Sequence, residues 1–432
     1  MPKVRENHLN MTLLLFLIYI DDIVNSLESD IYLYADDAVL MSSFTKDDTT
    51  INFEQMNRDL ERLSNWASKW FMEFNPVKTK FMVISNNPQK QYPTLSLNGA
   101  DLEKVNTYPQ LGLHLNDRMN WEDHINMLIN KASKKIGIIW KLSGDIPRSA
   151  VENIYTAYIR PQLEYGSIIY HNCTDAQSKR LESVQRKAAV ACTRAYNRTP
   201  THALLDELGW ETLKTRRKYN ALVQLYKMKN GQSPVYLQSL LPPNPGYQGR
   251  YPNRRNKDFI IPRVNTTKYQ KSFIPATVKM WNNLEDNVKS KTTIASFKYA
   301  LKKQLFLKKC KHYSQGMGKW ATTHTRMRLG LSPLKQHLHS FHIVPSSLCQ
   351  QTCCHHQPES SMHYFLECQQ YAASRAELLE VLRPTVDKLG IDQTDKNELN
   401  QLLLKGHQSL TQSENNELFQ HVQKYIKNTN RF

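Results

Sequence analysis

The sequence has no apolar run long enough to cross a bilayer. The longest, Met11 to Ile20, is ten residues, where a membrane helix needs about 20. Lys3 and Arg5 precede it as in a secretion signal, but Asp21-Asp22 follow at once and no small-residue cleavage site appears. Cysteine is scarce: seven in 432 residues, an odd number with five crowded between Cys310 and Cys368, which excludes a secreted disulfide scaffold. Acids are also short, 39 against 57 Lys plus Arg, leaving a net charge of +18. No collagen-like or coiled-coil period appears. What is present, 40% apolar residues with 10% aromatics, suffices for real cores and excludes a wholly disordered chain. The balance points to an intracellular protein, not secreted and not in a membrane, with a polyanionic partner such as nucleic acid.

The charge is unevenly placed. Residues 1–150 carry 16 basic and 19 acidic side chains, residues 176–230 carry 12 and 4, and residues 250–311 carry 16 and 3. A slightly acidic front therefore leads into a basic middle, and the two are expected to do different jobs. Ile31 to Ser42 reads as two short strands joined at Ala35-Asp36-Asp37-Ala38. From Asp47 to Phe74 the apolar positions Phe53, Met56, Leu60, Leu63, Ala67, Trp70 and Phe74 step by three or four, which predicts an amphipathic helix. Lys80 to Ser85 and Leu111 to Leu115 read as strands, and Asn98-Gly99 as a hairpin turn. Residues 120–240 are periodic helix, broken near Pro147, Pro161 and Pro200. The fold class is α+β: a partial strand-and-helix unit over 1–118, helical basic regions over 119–241 and 263–340 separated by a Pro-rich linker over 242–262, a Cys/His segment over 341–380, and a polar helical tail over 381–432.

Three constellations could carry chemistry. Adjacent Asp36 and Asp37 at a hairpin tip between apolar strands repel each other unless a divalent cation neutralises them, and hard Mg²⁺ suits such oxygen ligands. Asp21-Asp22 has no return strand and reads as the polar end of a helix. In the tail, Cys349, Cys353 or Cys354, His363 and Cys368 are separated by three or four, eight or nine, and then four residues, a spacing that fits a closed tetrahedral Zn²⁺ site. Residues 345–375 hold few large apolar side chains, so folding there is expected to depend on the metal.

Phe16-Leu17-Ile18-Tyr19-Ile20-Asp21-Asp22-Ile23 and Leu33-Tyr34-Ala35-Asp36-Asp37-Ala38-Val39-Leu40 resemble the palm of reverse transcriptases from non-LTR retrotransposons of the jockey or CR1 type. The resemblance extends through Asn75-Pro76-Val77-Lys78-Thr79-Lys80, Leu111-Gly112-Leu113, Arg160 to Gly166, Leu181 to Arg186, Tyr226 to Leu237, and Ser272 to Leu284. The segment from His363 to Cys368 resembles the knuckle that ends many such proteins, and Arg326-Met327-Arg328-Leu329-Gly330 belongs to the same block. The likeness implies a truncated polymerase palm, a mainly helical thumb region and a zinc-knuckle-like tail, acting as an RNA-directed DNA polymerase on an RNA template with a DNA primer. It implies Mg²⁺ at Asp36 and Asp37, and for Lys78 a role in protonating departing pyrophosphate. Phosphate contacts are expected from Lys131, Lys134 and Lys135, and from Arg186, Lys187, Arg194, Lys302 and Lys303.

Against that pattern, only 33 residues precede Tyr34. The fingers and the first catalytic Asp, which lie about a hundred residues ahead of the Tyr-x-Asp-Asp hairpin in the family, do not appear. Two-metal transfer needs that third carboxylate. The expectation is therefore a polymerase fragment that is inactive alone, in a nuclear or cytoplasmic ribonucleoprotein. The alternative is a non-catalytic nucleic-acid-binding module made of the basic helices and the knuckle.

Overall fold

A computed structural model describes residue 11 and residues 14–432, apart from 26, 46, 86–90, 244–258, 307–317 and 352–356. Two compact units divide the chain, residues 1–124 and 125–432.

In the first unit a short 3₁₀ turn, Asp21–Val24, leads to strands β1 (Asp30–Tyr34) and β2 (Asp37–Met41). They pair antiparallel with Tyr34 opposite Asp37, so Ala35-Asp36 form a two-residue loop. Ala35 takes a positive φ of 52° at the first loop position, the twist that tight hairpins favour. Period-two alternation places Ile31, Leu33 and Leu40 against a core of Ile23, Phe53, Leu60, Leu63, Val83, Leu95, Leu97 and Leu102. Tyr32, Tyr34 and Met41 face outward.

The amphipathic helix is present as α1 (Thr49–Lys69), five residues shorter at its end than the apolar stripe predicts. Phe71 adopts φ 55°, Met72 N–H bonds the Ala67 carbonyl at 2.8 Å, and Phe71 N–H bonds that of Ser68 at 3.3 Å. This is a Schellman stop with phenylalanine where glycine is usual.

The remaining strands are short. β3 (Lys80–Phe81) pairs parallel with β6 (Glu103–Lys104), and β4 (Ser96–Leu97) pairs with β5 (Ala100–Asp101) across Asn98-Gly99, as expected of that dipeptide. β7 (Thr107–Gln110) pairs with β8 (Leu113–Asn116). The strand expected over 111–115 thus begins two residues late, because Leu111 and Gly112 take φ of 47° and 78° and make the turn.

The second unit is helical, apart from one isolated bridge, Leu348 to Pro358, among the described residues. Pro147 and Pro200 stand at helix N-caps, as expected of breakers. Pro161 does not break the path. A π-turn over Tyr155–Ile159 runs into the helix Arg160–Glu164, and this wider turn accommodates the N–H that proline lacks. One core gathers Leu222, Tyr226, Trp281, Val288, Phe297 and Leu301. Most of the proline-rich linker lies outside the described residues. The 341–380 and 381–432 segments, expected as separate pieces, share one buried cluster. Tyr364, Phe365 and Tyr371 pack there with Leu402, Leu403, Phe419, Val422 and Tyr425.

Candidate functional site

Asp36 and Asp37 sit at the tip of the β1–β2 hairpin, both exposed. The hairpin lays one face, Ile31, Leu33 and Leu40, on the core and leaves its tip in water. Among the described residues no third His, Cys, Asp or Glu joins them in a metal-binding cluster. The two carboxylates alone do not fit a two-metal phosphoryl-transfer centre, which needs a further ligand to hold both ions.

Lys78 lies exposed in the turn after Pro76, its N–H bonded to Asn75 Oδ1 at 3.1 Å. Among the described residues no hydrogen bond or ion pair ties it to either aspartate. Asp21-Asp22 does follow a helical stretch, residues 14–19. Asp22 Oδ1 accepts a bond from Trp66 Nε1 at 2.7 Å, which makes it a tie to α1.

What organises the hairpin is a residue that sequence reasoning missed. Asp59, wholly buried on α1, accepts the backbone N–H groups of Glu28 at 3.1 Å and Ser29 at 2.9 Å, just ahead of β1. Arg62 adds a bond at 2.8 Å. Burial alone would raise its pKa, but these donors outweigh it and hold the carboxyl below its ordinary range. An acid inside an apolar helical stripe was the available signal.

The basic residues divide by what they touch. On the helix Glu122–Leu142, Lys131 and Lys134 are exposed and fall on one stripe with Ile138 and Lys141. No acid interrupts residues 124–144. Lys135 places Nζ 4.2 Å from the ring centroid of Tyr158, which is 59% exposed on the π-turn. Lys187, Lys302 and Lys303 are exposed, with Lys302 near the Tyr219 ring.

Arg186 is committed to the chain: its Nη2 bonds the carbonyls of Asn197 and Thr199. Arg194 ends a helix at φ 51°, and its carbonyl takes Arg326 Nε at 3.1 Å and Nη2 at 3.0 Å. Arg328, two residues on, grips buried Glu207 with Nη2 to Oε1 at 2.8 Å. The Arg326 to Gly330 block therefore joins the helix-bearing tail to the helices of residues 148–208.

Cys349, His363 and Cys368 converge. One ligand atom from each lies within 4.8 Å of the others, and all three side chains are buried. Both ring nitrogens of His363 are buried without a hydrogen-bond partner, a costly state for polar atoms. Burial lowers the His363 pKa, with Glu367 and Glu359 opposing, and so favours the neutral imidazole that ligates metals. Two soft sulfurs and an orphaned imidazole make a donor set that could hold a metal ion. Cys353 and Cys354 lie outside the described residues.

No helix among the described residues is long and apolar enough to cross a membrane. No curated protein matches the chain. Residues 9–128 match the family model described as reverse transcriptase (RNA-dependent DNA polymerase), a span that includes the Asp36-Asp37 hairpin, the Lys78 turn and the β7–β8 hairpin.

Proposed function

We propose that this chain is a reverse transcriptase fragment of the non-LTR retrotransposon type. In this reading it holds nucleic acid but cannot copy it alone. The carrying observation is the reverse transcriptase match over residues 9–128 together with an exposed Asp36-Asp37 tip that no third carboxylate joins among the described residues. The first unit then corresponds to part of a palm and the helices from Glu122 onward to a thumb region. RNA template and DNA primer are the partners, in an intracellular ribonucleoprotein. Mg²⁺ would meet Asp36 and Asp37 only as a loosely held ion, with Lys78 idle.

The reading as a non-catalytic binding module is favoured by the helix Glu122–Leu142. Its single-sign stripe of Lys131, Lys134 and Lys141, with neighbouring Lys135 over the ring of exposed Tyr158, suits a phosphate backbone with an unstacked base. In the tail, Cys349, His363, Cys368 and one of Cys353 or Cys354 would hold a structural Zn²⁺.

Primer extension with Mg²⁺ and nucleotides on a primed RNA template tests the first reading. No product is expected, and extension abolished by Asp36→Asn would overturn it. Binding to single-stranded RNA should weaken steeply with salt, log affinity falling by ~0.7 per neutralised phosphate against log salt. Lys131→Glu with Lys134→Glu should reduce that slope by ~1–2. An unchanged slope would remove this helix from the interface.

A further inference from the structure

The buried Cys349–His363–Cys368 group is assembled from two segments that local structure alone does not hold together. Cys349 belongs to the short pairing around the Leu348–Pro358 bridge, its N–H bonded to the Gln357 carbonyl at 2.9 Å. His363 and Cys368 stand at the two ends of the π-turn His363–Glu367, where Cys368 N–H bonds the His363 carbonyl at 2.7 Å.

One stretch, residues 429–432, grips both. Arg431 makes a fork onto Glu359, Nε to Oε1 at 2.6 Å and Nη2 to Oε2 at 2.8 Å. Glu359 is only 3% exposed. It is carried by the same pairing as Cys349, through its N–H to the Ser347 carbonyl at 2.9 Å, and its Oε2 also takes Lys335 N–H at 2.9 Å. On the other side Thr429 Oγ1 lies 2.5 Å from the hydroxyl of Tyr364, the neighbour of His363. The Phe432 ring sits 5.4 Å from the Tyr364 ring.

We propose that Arg431, through Glu359, is the positioning residue that holds Cys349 in reach of His363 and Cys368, so that this pair sets the affinity of the group for a tetrahedral, thiolate-binding divalent cation. The proposal rests on the metal-site reading above. A planar guanidinium fork fixes direction as well as distance. Groups one shell beyond the ligands orient them, and their loss commonly lowers metal affinity 10–100-fold. Without Arg431 a buried carboxylate loses its cation, and the pairing that carries Cys349 has reason to move outward toward water.

The test is a cobalt(II) titration of the full chain, read by the thiolate-to-cobalt charge-transfer absorption, with melting of the metal-free protein followed in parallel. Arg431→Met should weaken cobalt binding at least tenfold. The control Lys424→Met, which breaks the exposed Lys424–Glu377 pair in the same helical tail, should leave affinity unchanged. A role in general stability alone would lower the metal-free melting temperature and leave affinity within threefold of the parent, and that result overturns the proposal. If Arg431→Met does not fold, Glu359→Gln is read by the same criterion. Absence of the thiolate signature in the parent chain would instead overturn the metal reading itself, and the positioning role with it.

Discussion

Glu207 is the point at which the second unit should be easiest to break. It is 3% exposed and shared by two arginines. Arg148 Nη1 lies 2.8 Å from Oε1 and Nη2 3.2 Å from the Glu207 carbonyl, while Arg328 adds Nη2 to Oε1 at 2.8 Å and Nε to Oε2 at 3.2 Å. Burial disfavours the charge, but Arg328 and Arg148 outweigh it and hold the carboxyl at about 2 against an ordinary 4.5. At ~1.4 kcal/mol per pKa unit, the charged form is worth ~3 kcal/mol more in the folded than in the unfolded chain. Glu207→Gln keeps the shape and leaves buried Arg328 without its carboxylate, while Arg148 keeps Glu152 at 2.8 Å, a loss of the kind that costs ~3–5 kcal/mol.

Because the folded-state pKa is depressed, this stability is complete above the unfolded value near 4.5 and is lost as pH falls toward about 2. The assay is hydrogen exchange of the helices Thr201–Leu208 and Lys319–Arg328, with urea unfolding at pH 7, 5 and 3. Parent and Glu207→Gln should differ most at pH 7 and converge on acidification. Glu377→Gln, which breaks an exposed pair, should cost under ~1 kcal/mol at each pH. A Glu207→Gln loss below ~1 kcal/mol, or a gap that does not narrow with falling pH, would refute the reasoning.

Asp59→Ala strands the buried Ser29 N–H at ~1–3 kcal/mol and frees the part-buried Glu28 N–H toward water at less, so the first unit should lose ~1–4 kcal/mol. The parent's advantage should fade as pH drops below the ordinary aspartate range, since the Asp59 pKa is lowered. Trp66 fluorescence during urea unfolding reads both effects. Phe71 is 98% exposed at φ 55°, so Phe71→Gly relieves a strained left-handed residue and sacrifices no packing. It should stabilise the first unit by ~1 kcal/mol, and a destabilised variant would mean that the ring is in use. Adding a chelator to the metal-loaded chain should raise exchange over residues 347–359 while helical circular dichroism persists; collapse of the helices would contradict the shared tail core.

The sequence legibility of the first unit follows from local rules. Asn98-Gly99 can hardly be anything but a tight turn, and the three-and-four stepping from Phe53 to Ala67 requires a helix. The end of that helix was not legible, because phenylalanine at a left-handed stop carries no compositional mark. Leu111-Gly112 misled in the same way: an apolar residue beside glycine reads as strand, yet both take positive φ. Basic charge was legible in bulk but not in detail. Arg186 and Lys187 look alike in sequence, while one is spent on the carbonyls of Asn197 and Thr199 and the other stands in water.

The tail shows how a ligand set proposed from spacing can come with an energetic argument that counts too little. Spacing alone brought Cys349, His363 and Cys368 together, and they do converge. The inference that residues 345–375 need metal because their apolar content is small counted only the side chains within that segment. Tyr364, Phe365 and Tyr371 bury themselves against residues 399–426, with the Tyr425 hydroxyl bonded to the Tyr364 carbonyl at 2.7 Å. Contacts across some sixty positions are invisible to a window of thirty, and they supply the apolar burial that the segment lacks. A metal at this site therefore has a narrower task than making the fold. It would bond one ring nitrogen of buried His363, whose ring makes no hydrogen bond and has only the Glu367 carboxylate 3.8 Å from Nδ1.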